Sequence, residues 1–261
     1  MSKPAKTIIL DIETASIQAH VWGLWQQNVS LNMIREDWRI LSVATKELGN
    51  PEVQYLEARH ENQEKKLLRR LWHTLNEADI VVAHNGKKFD IKKINARLIA
   101  NGFGPYSPVK IVDTLLEVRK VAAFTSNKLE YLTDLLTSEK KLKHSKFPGF
   151  ELWRQCLAGN PEAWEEMREY NIQDIISLEE LYIKLRPWMA EHPNLGNFQE
   201  ADEEGTPVCP KCGGKHMHKR GIQRTQVAQY QRYQCLDCGG WSRGRKMLLN
   251  KEQRQHILMG Q

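Results

Sequence analysis

Two cysteine pairs near the C-terminus constrain the folding of this chain more than any other feature of its sequence. Cys209 and Cys212 form the first pair, Cys235 and Cys238 the second, and 22 residues separate them. Four thiolates at this spacing can close a tetrahedral Zn²⁺ site. The two glycines after each pair suit a tight turn whose amides can point at sulfur. Two disulfides are the alternative, but they require an oxidising compartment. The spacing therefore predicts a small domain built on one structural zinc ion.

Charge is distributed unevenly along the 261 residues. Residues 208–261 contain 11 of the 38 lysines and arginines but only Asp237 and Glu252 as acids, so they carry a net charge of +9. The rest of the chain holds 30 acidic and 27 basic side chains. A basic segment on a mildly acidic body indicates a polyanionic partner, most simply nucleic acid. A solvated tail that only aids solubility is the alternative.

The cysteine module resembles zinc ribbons, a broad class of small domains. Its arginines and aromatic residues suit phosphates and unpaired bases, respectively. The predicted nucleic-acid contacts in this module are Arg220, Arg224, Arg232, Tyr233 and Arg243. Some of the aromatic rings would instead form the small core of the ribbon.

The first two hundred residues alternate between short apolar runs and amphipathic stretches. Strands are predicted at 8–10, 40–45, 53–56, 80–83 and 110–113, and helices at 61–77, 90–100 and 161–186, with a further helical stretch at 115–136 broken near Asn127. Asn160 and Pro161 supply a cap and a first helical residue for the last helix. This order predicts an α/β fold with a mixed five-stranded sheet flanked by helices and leaves the strand order open.

A polar stretch rich in proline, glycine and acids interrupts the chain after the last predicted helix. The predicted organisation is a catalytic domain at 1–192, a linker at 193–207 and the cysteine module at 208–261. No apolar run approaches the roughly 20 residues that span a bilayer. The N-terminus lacks the features of a signal peptide. We therefore expect a cytoplasmic protein with no membrane partner.

Four separated carboxylates stand out once the strands are placed. Asp11 and Glu13 lie two residues apart and point to the same face of the first strand. Asp90 follows a buried strand, and Asp174 lies on the last helix, one turn after Tyr170. Converging carboxylates repel one another unless cations lie between them, and two divalent ions would offset four negative charges. Oxygen ligands favour Mg²⁺ or Mn²⁺, and such a pair can clamp the oxygens of a phosphodiester.

Each of these patterns is common by itself. The interpretation of these carboxylates as catalytic depends on the order in which the patterns occur along the chain. The segments Asp11-Ile12-Glu13-Thr14, Asn85-Gly86-Lys87-Lys88-Phe89-Asp90 and Tyr170-Asn171-Ile172-Gln173-Asp174 resemble the three exonuclease motifs of the DEDD superfamily. The resemblance covers roughly residues 6–186. It is closest to the proofreading domain of family-B DNA polymerases and its stand-alone phage and bacterial relatives.

The resemblance implies an RNase H-like fold and a 3'→5' exonuclease that releases nucleoside 5'-monophosphates. It implies that Asp11, Glu13 and Asp174 hold one metal ion and that Asp11 shares a second ion with Asp90. Tyr170 would orient the attacking water. The histidine branch of the superfamily has its histidine five residues before the last aspartate, where this chain has a glutamate.

Three further residues are predicted to contact nucleic acid. Asn85 and Phe89 would contact the 3'-terminal nucleotides, as the resemblance implies, although Phe89 suits core packing equally well. Lys128 belongs to one of two basic stretches near the predicted cleft; the other covers residues 140–146. DNA is favoured over RNA as the substrate. A structure-specific endonuclease, a ribonuclease on the same fold and a catalytically idle nucleic-acid-binding module are the alternatives.

Overall fold

The computed structural model describes residues 4–140, 142, 144–200 and 205–259. They form two compact units: Lys6–Tyr182, and the residues from Ile183 onward together with residues 4 and 5. The first unit begins with the strands β1 (Thr7–Thr14), β2 (Gln18–Ala19), β3 (Ile34–Glu36), β4 (Ile40–Glu47) and β5 (Val53–Glu57). It continues with α1 (Glu61–Glu77), β6 (Ile80–Ala83), α2 (Asp90–Ala100), β7 (Lys110–Asp113), α3 (Thr114–Val121), α4 (Leu129–Leu136), α5 (Glu151–Leu157) and α6 (Pro161–Leu185).

The main sheet has five strands in the order β5-β4-β1-β6-β7. β1 pairs antiparallel with β4 and parallel with β6, and β6 pairs parallel with β7. The mixed five-stranded sheet flanked by helices confirms the predicted fold class. β6 pairs with β1 over Thr7–Ile9 only, so the backbone of β1 beyond Ile9 extends past its neighbour.

The two faces of β1 have different surroundings because its side chains alternate. Ile8, Leu10 and Ile12 belong to a buried cluster with Leu68 and Leu71 of α1. The intervening side chains face the opposite side of the sheet. On that side, a second cluster joins Leu41 of β4 with residues of α5 and α6, including Trp164 and Met167. The sequence therefore directs the acidic residues of β1 toward α6.

The long helix α6 begins where its capping sequence predicts. Asn160 accepts a hydrogen bond from the backbone N–H of Glu162 at 3.0 Å, and Pro161 is the first helical residue. The predicted break in the stretch 115–136 is also confirmed, since α3 ends at Val121 and α4 starts at Leu129. The sequence patterns did not predict α5 or the short β2–β3 pair.

The second unit contains a three-stranded antiparallel sheet in the order β10-β9-β8. Its elements are β8 (Met217–Arg224), β9 (Gln229–Cys235), β10 (Trp241–Met247) and the short helix α7 (Lys251–Arg254). The sheet and the four clustered cysteines are compatible with the predicted zinc ribbon.

The domain boundaries remain a prediction, and the stretch predicted as a linker is described in part. Its residues 201–204 lie outside the described residues. Leu195–Phe198 form a 3₁₀ helix, and Leu195 N–H donates to the carbonyl of Pro210 at 2.9 Å. The Gln199 side chain donates to the carbonyl of Gly213 at 2.8 Å. These described residues therefore pack on the first cysteine pair.

In the described part of the chain, none of the helices combines the length and apolar composition needed to cross a membrane.

Candidate active site

Three of the four predicted catalytic carboxylates come together at one edge of the main sheet. Asp11 and Glu13 of β1 and Asp174 of α6 offer oxygens that all lie within 4.8 Å of one another. The alternation of β1 points its two acidic side chains toward α6, and the helical period places Asp174 on the face of α6 that is turned toward them. Asp174 is 3% exposed. We call these three residues the carboxylate cluster.

Two side chains that the sequence analysis did not single out hold the carboxylate cluster in place. Asn171 Nδ2 donates to Asp11 Oδ2 at 2.7 Å, and Ser42 Oγ donates to Asn171 Oδ1 at 3.0 Å. Trp153 Nε1 donates to Glu13 Oε2 at 3.0 Å. Hydrogen bonds to an ionised carboxylate favour its charged form and fix its orientation. These hydrogen bonds therefore fix the orientation of Asp11 and Glu13, two of the three members of the cluster.

One of these two omissions had a signal in the sequence. Asn171 lies three residues before Asp174 and next to Tyr170, so a helical projection of α6 places it on the same face. Trp153 had no such signal, because it lies on α5, which no periodic pattern predicted.

The carboxylate cluster fits a divalent cation by the chemistry of its donors. Three carboxylates within 4.8 Å of one another repel each other strongly, and a divalent cation among them relieves that repulsion. Carboxylate oxygens are ligands that Mg²⁺ and Mn²⁺ prefer. The donor set therefore suits a hard divalent cation, while its identity belongs to the proposal below.

Asp90 lies beside the carboxylate cluster but is not one of its three members. It is the first residue of α2, is 2% exposed, and its Oδ1 accepts the backbone N–H of Ile12 at 3.2 Å. This contact is available because β6 ends before it reaches Ile12. Burial is the main cause that raises the pKa of the Asp90 carboxyl to about 7; backbone hydrogen bonds oppose this rise, and the nearby Asp113 carboxylate contributes to it.

The turn between β6 and α2 is held by Asp113, an acid that matches no motif position. Asp113 Oδ1 accepts the backbone N–H of Asn85 at 3.0 Å, and its Oδ2 accepts that of Lys87 at 3.1 Å. Asn85 has a φ of 66°, in the left-handed region that asparagine tolerates. A Cβ on Gly86 would lie 2.4 Å from Ala83 Cβ, so this position requires glycine. Asp113 thus positions the turn that carries Asn85.

Tyr170 packs within a group of three aromatic side chains next to the carboxylate cluster. It is 8% exposed, and its ring makes edge contacts with those of His144, at 5.3 Å, and Trp153, at 6.0 Å. Trp153 in turn contacts Glu13. The structure therefore connects the predicted water-orienting tyrosine to a member of the cluster through one tryptophan.

Lys128 lines two adjoining grooves on this side of the molecule. One groove, of about 460 Å³, also includes His144 and Tyr170. The other, of about 440 Å³, also includes Asn85 and Arg119. Lys128 thus lies between the aromatic group and the turn after β6.

The remaining predicted contacts in this unit have different surroundings. Phe89 is 37% exposed, and Lys93 Nζ lies 5.3 Å from its ring centre. In the basic stretch 140–146, Lys141 and Lys143 lie outside the described residues. Lys140 Nζ donates to the carbonyls of Thr133 and Asp134, so it caps α4.

The four cysteines of the second unit form a compact group of thiols. All four sulfurs lie within 4.8 Å of one another. Cys209 and Cys238 are separated by 3.7 Å, and Cys212 and Cys235 by 3.6 Å. A disulfide would require about 2.05 Å, whereas tetrahedral zinc with bonds of about 2.3 Å places sulfurs about 3.8 Å apart. The geometry fits a tetrahedral metal site.

Backbone amides support the sulfurs as the glycine pattern predicted. Gly213 has a φ of 76°, and the following amide, that of Gly214, donates to Cys212 Sγ at 3.3 Å. The second pair repeats this arrangement, with Gly240 N–H donating to Cys238 Sγ at 3.4 Å. Both turns therefore point an N–H at a thiol, which stabilises thiolates.

One face of the three-stranded sheet in the second unit combines arginines with aromatic rings. The guanidinium of Arg232 lies 4.7 Å from the ring centre of Trp241, and that of Arg220 lies 5.9 Å from the same ring. On the same face, Arg243 lies 4.0 Å from the ring centre of Tyr230. We call these five residues the cationic face. It brings together three of the predicted nucleic-acid contacts.

Two predicted contacts of the second unit lie on the other face of its sheet. Tyr233 follows Arg232 directly in β9, so the alternation of the strand places their side chains on opposite faces. Arg224 pairs with Gln229, which alternates with Tyr230 in the same way. Neither Tyr233 nor Arg224 therefore belongs to the cationic face.

Comparison with known proteins gives one family match and a structural likeness. A family model described as the RNase H superfamily matches residues 36–186, more than half of the chain. Asp90 and Asp174 lie within this range, and β1 with Asp11 lies before it. No curated protein matches the chain.

The structural likeness is to a much longer protein. The structure of the family B DNA polymerase from the hyperthermophilic archaeon Pyrobaculum calidifontis matches with a TM-score of 0.54 and 17% sequence identity. The match covers 71% of this chain and 25% of the polymerase chain. At this identity the likeness shows a shared fold.

Proposed function

The chain belongs to the RNase H superfamily, and from this premise we propose that it is a metal-dependent 3'→5' exonuclease that acts on DNA. The observation that carries the proposal is the convergence of Asp11, Glu13 and Asp174, with Asp90 and Tyr170 beside them. The likeness to a family B DNA polymerase supports DNA as the substrate.

The residues of the carboxylate cluster would hold a divalent cation, Mg²⁺ or Mn²⁺, and Asp90 with Asp11 would hold a second. Such ions, when bound, make water a better nucleophile and offset the negative charge of the reacting phosphate. Asn171 and Trp153 keep Asp11 and Glu13 oriented for this task.

The other groups of the site position the reactants. The Tyr170 hydroxyl orients the attacking water, and the packing of its ring against Trp153 and His144 restricts where that hydroxyl can lie. Asn85 and Lys128 contact the end of the strand. Attack on the last phosphodiester forms a new P–O bond to water and breaks the bond to the preceding 3' oxygen. The product is a nucleoside 5'-monophosphate.

Release of mononucleotides tests this proposal. The full chain is incubated with a single DNA strand labelled on its 3'-terminal nucleotide, in Mg²⁺. The label should appear as a nucleoside 5'-monophosphate. Labelled oligonucleotides would indicate an endonuclease, and a strand that is bound but intact would indicate an idle binding module. Either result would overturn the proposal.

The second unit is proposed to bind one Zn²⁺ through its four cysteines. The purified chain should contain one zinc per molecule, and Cys235→Ser should lose most of it, because structural sites need all four ligands. Elemental analysis of both proteins measures this. Cys156→Ala is the matched control, since Cys156 is buried among apolar residues of the first unit. Full zinc content in Cys235→Ser would show that the cysteines do not hold the metal.

The cationic face is proposed to contribute affinity for nucleic acid through phosphate contacts. Each phosphate neutralised by an arginine releases counterions, so replacing Arg220, Arg232 and Arg243 by Gln should reduce the salt slope for single-strand binding by up to about 2. The dissociation constant is measured against salt concentration. The control replaces Lys65, Lys66 and Arg69, which are exposed on α1, with the same change in charge. Equal slopes for the two triple variants would contradict this role.

A further inference from the structure

An arm between the first two strands of the main sheet exposes an unusual amount of apolar surface. We define the arm as residues 17–38, in which β2 and β3 pair antiparallel. Seven large apolar side chains of the arm are exposed: Ile17, Val21, Trp22, Leu24, Trp25, Val29 and Leu31. Trp22 is 97% exposed and Trp25 is 85% exposed. Surfaces of this kind mark places where a partner binds.

The base of the arm lines a groove at the edge of the main sheet. This groove has a volume of about 590 Å³, within the range of small-molecule sites. Its walls are residues 14–17 and Trp38 at the two ends of the arm, Lys93 of α2, Phe150, and Trp153 of α5. The groove is therefore aromatic on several sides, and Phe150 is itself exposed.

The groove adjoins the carboxylate cluster through Trp153. The same tryptophan that lines the groove donates its indole N–H to Glu13 at 3.0 Å. Glu13 is also only one residue before the part of β1 that forms the groove wall. A molecule in the groove consequently lies next to the proposed site of hydrolysis.

Two residues that line the groove place a cation over an aromatic ring. Lys93 Nζ lies 3.8 Å from the ring centre of Trp38, and the guanidinium of Arg97 lies 5.5 Å from the same ring. Cationic groups beside aromatic rings are what a strand with stacked bases and an anionic backbone requires. The arm itself contributes aromatic rings and few charged side chains.

We propose that the arm and this groove bind unpaired bases of the strand being degraded, with Trp22 and Trp25 stacking on bases. This inference rests on the proposed function and deepens it by assigning the arm and the groove as the surface that binds the strand. Exposed tryptophan faces stack on any base but gain nothing from bases that are already paired within a duplex. Because the groove lies beside the carboxylate cluster, the strand being degraded is favoured over a docked protein as its occupant.

Binding measured without cleavage tests this inference. The full chain is titrated into a fluorescently labelled oligothymidine and into a blunt duplex of equal length, with no added Mg²⁺ or Mn²⁺ and with its zinc retained. Three variants are compared with the unmodified chain. Trp22→Leu/Trp25→Leu keeps the apolar character and loses the stacking rings, while Trp22→Phe/Trp25→Phe keeps the rings. Trp188→Leu is the control, since Trp188 is 72% exposed in the other unit.

The leucine pair should bind the single strand about 10- to 100-fold more weakly, as expected for the loss of two stacking platforms. The phenylalanine pair should stay within about threefold of the unmodified chain, and the Trp188 control within about twofold. Duplex binding should be the same in all four proteins. Both arm tryptophans are exposed, so all variants should fold, which thermal melting verifies.

Unchanged single-strand affinity in the leucine pair would overturn the inference, as would an equal loss on the duplex. A further variant, Trp22→Ala/Trp25→Ala, tests self-association. If the unmodified chain self-associates, and this variant does not but binds the single strand with unchanged affinity, the arm would instead be assigned to a second copy of the protein. Failure of the nuclease assay leaves these binding results unaffected, so the two proposals can fail separately.

Discussion

Asp174→Asn is expected to reduce cleavage in Mg²⁺ by at least about a thousandfold. The substitution preserves the shape of the side chain and removes one of the three charges that lie within 4.8 Å of one another. Asp11→Asn should have an effect of similar size, because Asp11 belongs to the carboxylate cluster and is also the proposed ligand shared with the second ion. Initial rates on a labelled strand, at saturating Mg²⁺, measure the loss.

The thermal stability of Asp174→Asn shows whether a loss of cleavage comes from a loss of folding. Removal of one of three mutually repelling carboxylates should leave the thermal stability of the metal-free protein unchanged or raise it. Asp134→Asn is the matched variant, because Asp134 is exposed on α4 and matches no motif position, and it should cleave normally. Near-normal cleavage by Asp174→Asn would refute the assignment of the cluster as the catalytic centre.

Tyr170→Phe is expected to lower the turnover rate by about 10- to 1000-fold, the scale of one positioned catalytic group. The phenyl ring can keep the edge contacts with His144 and Trp153, so the variant removes the hydroxyl alone. The metal concentration for half-maximal activity should not change, since the hydroxyl is not proposed to bind metal. Steady-state rates across a range of Mg²⁺ concentrations separate the two effects.

Tyr106→Phe is the matched control for this loss of a hydroxyl. The Tyr106 hydroxyl donates a hydrogen bond to Asn95 at 3.1 Å, away from the carboxylate cluster. Removal of this hydroxyl should leave turnover unchanged. A Tyr170→Phe variant with normal turnover, or one whose activity returns in high Mg²⁺, would assign Tyr170 a structural role instead.

Local sequence patterns predicted most of the elements of the main sheet because each element is periodic or capped. The apolar run 80–83 is buried on both faces as β6, and the residues Asn160 and Pro161 start α6 as predicted. The i and i+2 spacing of Asp11 and Glu13 was enough to place both on one face. These features are encoded within a few residues of one another.

Features that depend on distant parts of the chain could not be predicted. The strand order depends on which runs pair across the sheet, and periodicity carries no such information. Trp153 reaches Glu13 across 140 positions of sequence. The contact of Asp90 with Ile12 exists because β6 ends early, which only the register reveals. The assignment of Arg232 and Tyr233 to opposite faces required the positions of the strands in the second unit.

The apolar arm is a different kind of omission. No sequence pattern assigned a role to apolar residues such as Trp22 and Leu24, although most large apolar side chains are buried in a core. Their lack of helical or strand periodicity was the available signal, and the structure shows them exposed in an arm whose two ends line the groove.

The most direct test of the central claim compares a linear single DNA strand with a closed circle of the same sequence, incubated with the full chain in Mg²⁺. A 3'→5' exonuclease requires a free 3' end, so the linear strand should shorten one nucleotide at a time from that end while the circle stays intact. Opening of the circle at a rate comparable to the shortening of the linear strand would contradict the proposed function.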